Sequence, residues 1–157
     1  MKKLTILLAL TIGVSAWSQC HKSEIPSSVT ATFSGGFAKT MCGELSFRLR
    51  TFYVGAGVGV MVDNEIRNEG GIIYTRNDHA YFVNLGFQKD NIHYGVRIGN
   101  QTQVHVTGTV GGVRQELPNE NKLLVGALIG YCVTPRIRFN LGYDTFNKVN
   151  LGAAFGL

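Results

Sequence analysis

From Arg136 to Leu157, apolar and polar side chains alternate almost without error. Ile137, Phe139, Leu141 and Tyr143 share one face, and Arg136, Arg138, Asn140, Gly142 and Asp144 share the other. After Thr145-Phe146-Asn147 the pattern resumes: Val149, Leu151, Ala153, Phe155 and Leu157 oppose Lys148, Asn150, Gly152, Ala154 and Gly156. A β-strand turns successive side chains to opposite faces, so this segment predicts a hairpin with one apolar and one polar face. The same two-residue period recurs upstream: in Val29–Phe37, Leu45–Leu49, Phe52–Val62, Tyr81–Phe87, Ile92–Ile98, Val104–Val110 and Leu123–Tyr131, with a short run at Ile72–Thr75. Polar segments divide the runs, the longest being Asp63–Gly70 and Arg114–Asn121.

Counted singly, the runs number ten. A strand that crosses a membrane at a tilt needs about 9–11 residues, and Ile72–Thr75 is too short. The alternation changes parity between Arg50 and Phe52, the mark of a tight turn or a β-bulge. Joining residues 43–62 across a bulge, and 70–88 across the irregular Arg76–Asp78, reduces the count to eight. Eight strands make the smallest closed barrel and suit this length. The expected fold is therefore all-β: a single antiparallel up-and-down transmembrane β-barrel over residues 28–157, closed by pairing the last strand to the first. Eight strands are favoured, and ten is the alternative.

Alternation does not say which face is outside, because a soluble barrel buries the apolar face that a membrane barrel turns to lipid. The polar face separates the two. A water-exposed strand face is usually rich in Lys and Glu; here it carries Gly, Thr, Ser, Asn, Gln and Arg, with Lys148 its one strand lysine. Small, hydrogen-bonding residues suit a narrow polar interior. Phe52, Phe87, Tyr131, Tyr143 and Phe155 fall near strand ends, where interfacial aromatic girdles sit. The membrane arrangement is favoured over a soluble periplasmic or secreted barrel that binds an apolar ligand.

The first residues support export. Lys2 and Lys3 precede an apolar stretch, Leu4–Val14, too short to span a bilayer as a helix. Residues 1–19 read as a signal peptide, with cleavage after Ala16 or Gln19, followed by a lead-in over 20–27. The formal net charge of +5 falls by two when Lys2 and Lys3 are removed, and no Lys/Arg run suggests nucleic-acid binding. Of three cysteines, Cys42 is expected in the first hairpin turn, at the opposite end of the barrel from Cys20 and Cys132. Any bridge would then join Cys20 to Cys132.

The polar face holds Arg48, Arg50, Arg97, Arg136, Arg138 and Lys148 against Glu44 and Asp144. Buried charges are costly unless paired, so these eight are expected to form a lumen charge network anchored on the two acids. His93 and His105 are expected to point inward on neighbouring strands as hydrogen-bonded lumen residues; two imidazoles make a poor metal site, and no cofactor is expected. A lipid-modifying enzyme would need a His and a hydroxyl nucleophile held together near the surface. The one His-x-Ser, His21-Lys22-Ser23, lies in the lead-in, and His105-Val106-Thr107 points inward. Gly55-x-Gly57-x-Gly59 has the wrong spacing for a phosphate loop and lies within a strand.

With these patterns, and with GYCVTPRIRFNLGYDTFNKVNLGAAFGL at its end, the chain resembles the small eight-stranded outer-membrane β-barrel proteins. These are the OmpX-like and OmpA-transmembrane-like group, in the style common in Bacteroidota. The resemblance implies a non-catalytic, integral protein of the bacterial outer membrane, of structural or surface-interaction (adhesion-like) type. Its partners would be outer-membrane lipid, the barrel assembly machinery through the C-terminal strand, and a surface-loop ligand the sequence does not identify. Such barrels typically end in an aromatic residue; this chain ends Phe155-Gly156-Leu157, leaving Phe155 to serve.

Overall fold

A computed structural model describes residues 28–157 apart from 64, 70–71, 107–108, 111–112 and 115–117. The expected signal peptide and lead-in, with Cys20 and His21, lie outside the described residues. Eight strands form the wall: β1 (Ser28–Gly36), β2 (Thr40–Leu49), β3 (Phe52–Met61), β4 (Ile72–Lys89), β5 (Ile92–Val106), β6 (Glu120–Thr134), β7 (Ile137–Asp144) and β8 (Lys148–Gly156). Each pairs antiparallel with its sequence neighbours, and β8 pairs back onto β1 from Gly156↔Thr30 to Asn150↔Gly36. The sheet is a closed up-and-down barrel. Closure removes the edges that an open sheet would leave unpaired.

The eight strands are not divided as the alternation suggested. Residues 43–62 are not one bulged strand: Leu49 pairs with Phe52, so Arg50-Thr51 is a two-residue hairpin turn, with φ 55° at Arg50. The tight hairpin turns that match strand twist place a residue in this left-handed region. The join across Arg76–Asp78 is correct, since β4 runs unbroken through it. The second join belongs between Ile98 and Val104, whose runs form the single strand β5.

The two ends of the barrel differ. At the end holding Ser28 and Leu157, strands turn in two residues: Arg50-Thr51, Asp90-Asn91 and Pro135-Arg136. The opposite end carries the longer connections over 62–71 and 107–119. There β4, β5 and β6 rise above their neighbours, and a short strand, Glu65–Glu69, pairs with Ile72–Arg76. We call this the loop end.

The burial pattern inverts that of a soluble protein. Among the described residues, 13 polar or charged side chains are buried against seven hydrophobic ones. Outside, Phe33 (62%), Leu45 (62%), Phe139 (56%) and Leu141 (49%) lie exposed in a continuous apolar band. Such an area is unfavourable in water and matches hydrocarbon. Phe47, Phe52, Phe87, Tyr94, Tyr131, Phe139 and Phe155 ring the terminal end, Phe52 and Phe87 with centroids 4.4 Å apart. Tyr143, with Phe33 and Tyr81, belongs nearer the loop end, as its register with Val149 and Ala127 requires.

Candidate functional site

The interior is filled from β3 inward. Gly55, Gly57 and Gly59 turn no side chain into the lumen, and others occupy the space they leave. A Cβ at Gly57 would lie 2.6 Å from the Phe82 ring, and one at Gly59 would lie 2.7 Å from Phe146 and 2.8 Å from the Cys42 sulfur. The glycine run that fails as a phosphate loop is thus a packing device, giving the lumen width where it holds most.

Arg97 occupies the centre. Its Nη1 donates to Asp144 Oδ2 at 2.8 Å, its Nε to Asn84 Oδ1 at 3.0 Å, and its Nη2 lies 3.6 Å from Glu44 Oε2. Asn84 in turn donates to Glu44. The guanidinium lies 4.0 Å from the Phe82 ring centroid, adding a cation–π contact. Residues from β2, β4, β5 and β7 are thereby tied across the lumen. A buried guanidinium is tolerated because two carboxylates and an amide replace its water.

Asp144 also shapes the loop end. Its Oδ1 accepts from the backbone N–H groups of Phe146 (3.0 Å) and Asn147 (2.6 Å), and its Oδ2 from the side-chain amides of Asn147 (2.8 Å) and Asn150 (3.1 Å). Asn147 Oδ1 accepts from Thr40 Oγ1 at 2.5 Å and from Cys42 Sγ at 3.3 Å. The β7–β8 turn is consequently drawn inward, and Phe146 (3% exposed) drops into the barrel against Cys42, Ala80, Phe82 and Leu124. A residue the alternation placed in a turn becomes an apolar plug.

Above the plug lies a cavity of about 710 Å³, open at the loop end. Lys39, Arg76, Lys122 and Lys148 line it with Asp63 and Asp78, Glu120 is the counter-charge to Lys122, and Thr40, Gln101 and Gln103 add polar groups. Asp78 is buried, held by Arg76 and by Gln101 at 2.9 Å. Lys39 meets Asp63 at 2.6 Å, with both side chains more than 60% exposed, a pairing worth little in water. Lys122 reaches Gln103 at 2.6 Å and Glu120 at 3.0 Å.

Of the eight residues expected in the lumen network, the structure joins Glu44, Arg97 and Asp144. Arg48 and Arg138 face inward nearer the terminal end, donating to Gln88 (2.9 Å) and Asn140 (2.9 Å). Arg50, Arg136 and Lys148 are not lumenal: the first two are exposed turn residues, and Lys148, at φ 60°, is exposed at the loop end. Alternation cannot be extrapolated through a turn, and at Arg50 and Lys148 a positive φ re-aims the side chain as well. His93 and His105 lie on one strand, β5, rather than on neighbouring strands, roughly 40 Å apart at about 3.3 Å per residue. His93 is buried against Tyr53 with ring centroids 3.8 Å apart, and neither ring nitrogen finds a protein hydrogen-bond partner, contrary to expectation. The side chain of His105, and the hydroxyl candidates Ser23 and Thr107, lie outside the described residues. Cys42 lies within β2 rather than in the turn and is buried. Among the described residues, no three His, Cys, Asp or Glu side chains group as metal ligands.

Neither a family model nor a curated protein matches the sequence. Solved structures do match. The attachment invasion locus protein Ail of Yersinia pestis, in complex with the heparin analogue sucrose octasulfate, superposes with TM-score 0.57 at 9% identity. The match covers 83% of this chain and 94% of that one. The N-terminal β-barrel domain of Pseudomonas aeruginosa OprF gives TM-score 0.50 at 14% identity, over 83% and 96% of the chains. The fold is that of the small eight-stranded outer-membrane β-barrels. Identities this low speak to fold alone, and what this barrel does must come from its own lumen and loop end.

Proposed function

We propose that the protein is a non-conducting, non-catalytic integral barrel of the bacterial outer membrane whose work is done at its loop end. In this reading it is a surface-interaction protein that engages anionic extracellular ligands through the cation-lined cup. The observation that carries the reading is the sealed lumen beneath an open basic cavity. Arg97 with its carboxylates, and Phe146 above them, fill the cross-section, so the cup has a floor. Short turns at one end and longer loops at the other support an orientation with the loop end outside. Among the described residues the four lining cations meet three carboxylates, Asp63, Asp78 and the Lys122-paired Glu120, an excess of one positive charge, which favours polyanions at long range and weakens with salt. The sulfated sugar held by Ail is an example of such a ligand on the same fold.

The test is a binding titration of the refolded barrel with sucrose octasulfate at low and high salt, beside uncharged sucrose. Salt-sensitive binding of the sulfated sugar that is lost in Lys39→Glu/Lys122→Glu/Lys148→Glu is expected. Equal response to both sugars would overturn the ligand class. Stepwise ion conductance in a planar bilayer would overturn the sealed lumen.

A further inference from the structure

The terminal end of the barrel differs from the loop end in where it carries its charge. Each of its three two-residue turns presents one exposed cation: Arg50 between β2 and β3, Lys89 at the start of the β4–β5 turn, and Arg136 between β6 and β7. Among the described side chains, Asp90 is the one carboxylate at this end. We infer that this rim is a lipid-headgroup contact surface, at which the three cations hold the phosphates of anionic phospholipids in the adjoining leaflet. The inference rests on the membrane placement proposed above and not on the cup.

Depth is the first support. Arg50 lies two residues before Phe52, Lys89 two after Phe87, and Arg136 three before Phe139, and these aromatics belong to the ring around the terminal end. At about 3.3 Å per residue along tilted strands, the cations stand about 5–8 Å beyond that ring. An aromatic ring marks the edge of the hydrocarbon, and the headgroup layer outside it is about 5–8 Å deep on each side. The rim therefore lies at the level of the phosphates.

Availability is the second. Among the described residues none pairs with the side chains of Arg50, Lys89 or Arg136. A phosphate suits them, because its oxygens accept the paired donors of a guanidinium and the point charge of an ammonium. The third is spacing. Adjacent turns are two strands apart, about 10 Å along the wall, so each cation meets its own headgroup rather than sharing one. The loop end turns its charge the other way. There Lys39, Lys122 and Lys148 line the cup, while the outer wall around Tyr81 carries Asn77, His79, Asn100 and Thr102, none of them Lys or Arg.

The test is electron spin resonance of lipids spin-labelled on the acyl chain, with the refolded protein in phosphatidylcholine vesicles. The immobilised fraction of labelled phosphatidylglycerol is compared with that of labelled phosphatidylcholine. At low salt the anionic lipid should be favoured by about two- to fivefold, and the preference should shrink as salt rises. It should fall to near unity in Arg50→Asn/Lys89→Gln/Arg136→Gln, in which Asn suits the positive φ of Arg50. Arg50→Lys/Arg136→Lys keeps the charge and should keep the preference. Equal immobilisation of the two lipids by the wild type would overturn the rim as a lipid contact, and so would an undiminished preference in the neutral variant. Should that variant not fold, Lys89→Gln alone should still reduce the preference, and no reduction would overturn the inference. Variant-sensitive binding of soluble polyglutamate without lipid selectivity would assign the rim to an acidic polymer and overturn it equally. Failure of the wild type to insert, read as no mobility shift on unheated gels, would instead overturn the membrane placement and the rim with it.

Discussion

Replacing Asp144 tests whether the lumen is held by one hub or by many small contacts. Its carboxylate accepts from Arg97, from two backbone N–H groups of the β7–β8 turn and from two asparagine amides. In Asp144→Ala, Arg97 would keep Glu44, at 3.6 Å, as its one carboxylate beside the Asn84 amide. Removing one partner of a buried ion pair costs about 3–5 kcal/mol. The Asn147 and Asn150 amides lose their acceptor as well, and the turn loses two backbone bonds, each worth about 0.5–1.5 kcal/mol net. Asp144→Asn keeps an oxygen that can accept from the turn but offers Arg97 an amide instead of a charge. Asn should therefore be milder than Ala by about 1–3 kcal/mol, the share of those two bonds. The assay is urea unfolding in lipid vesicles, followed by circular dichroism and by the mobility shift of the folded barrel on unheated gels. Glu120→Gln, an exposed acid, is the control and should stay within about 0.5 kcal/mol of wild type. Asp144→Ala within about 1 kcal/mol of wild type would refute the hub, since no buried pair could have been broken at so small a cost.

Glu44→Gln should destabilise less than Asp144→Ala, by about 1.5–3 kcal/mol in the same assay, because Arg97 retains its shorter partner. Leu141→Arg should cost about 2–4 kcal/mol if the apolar band faces hydrocarbon, and refolding yields in vesicles against soluble aggregate would show it. Gly59→Val should destabilise by roughly 1–3 kcal/mol through the clash with Phe146 and Cys42, whereas Gly43→Ala, with open space around its Cβ, should be nearly silent in the same unfolding titration. Cys42 is shielded by the plug, so an impermeant maleimide should label it slowly in the wild type and faster in Phe146→Ala; equal rates would place Phe146 outside the barrel.

The period-2 alternation determined the fold class, the inward and outward faces of the strand centres, and the direction of the hairpin from Arg136 to Leu157. That information is local, because within a strand the face of residue i sets the face of residue i+2. Side-chain chemistry on the polar face then separated a lipid-facing barrel from a soluble one. The positions of Glu44, Arg97 and Asp144 on that face were legible for the same reason. The sequence did not hold the register between strands in so plain a form, and register is what sets Arg97 between its two acids and keeps Arg48 and Arg138 apart from them. Turns were the weakest part of the reading. The parity rule ends at a turn, through a positive φ at Arg50 and Lys148 and by position in the turn at Arg136, so these three left the lumen they seemed to belong to. Phe146 went the other way. No spacing marks a turn phenylalanine as a plug, because its burial depends on Asp144 drawing the turn inward and on Gly59, far away in sequence, leaving room. The cup likewise exists only where distant strands meet. Its charge is written in the composition, but its placement at the loop end is decided by barrel closure.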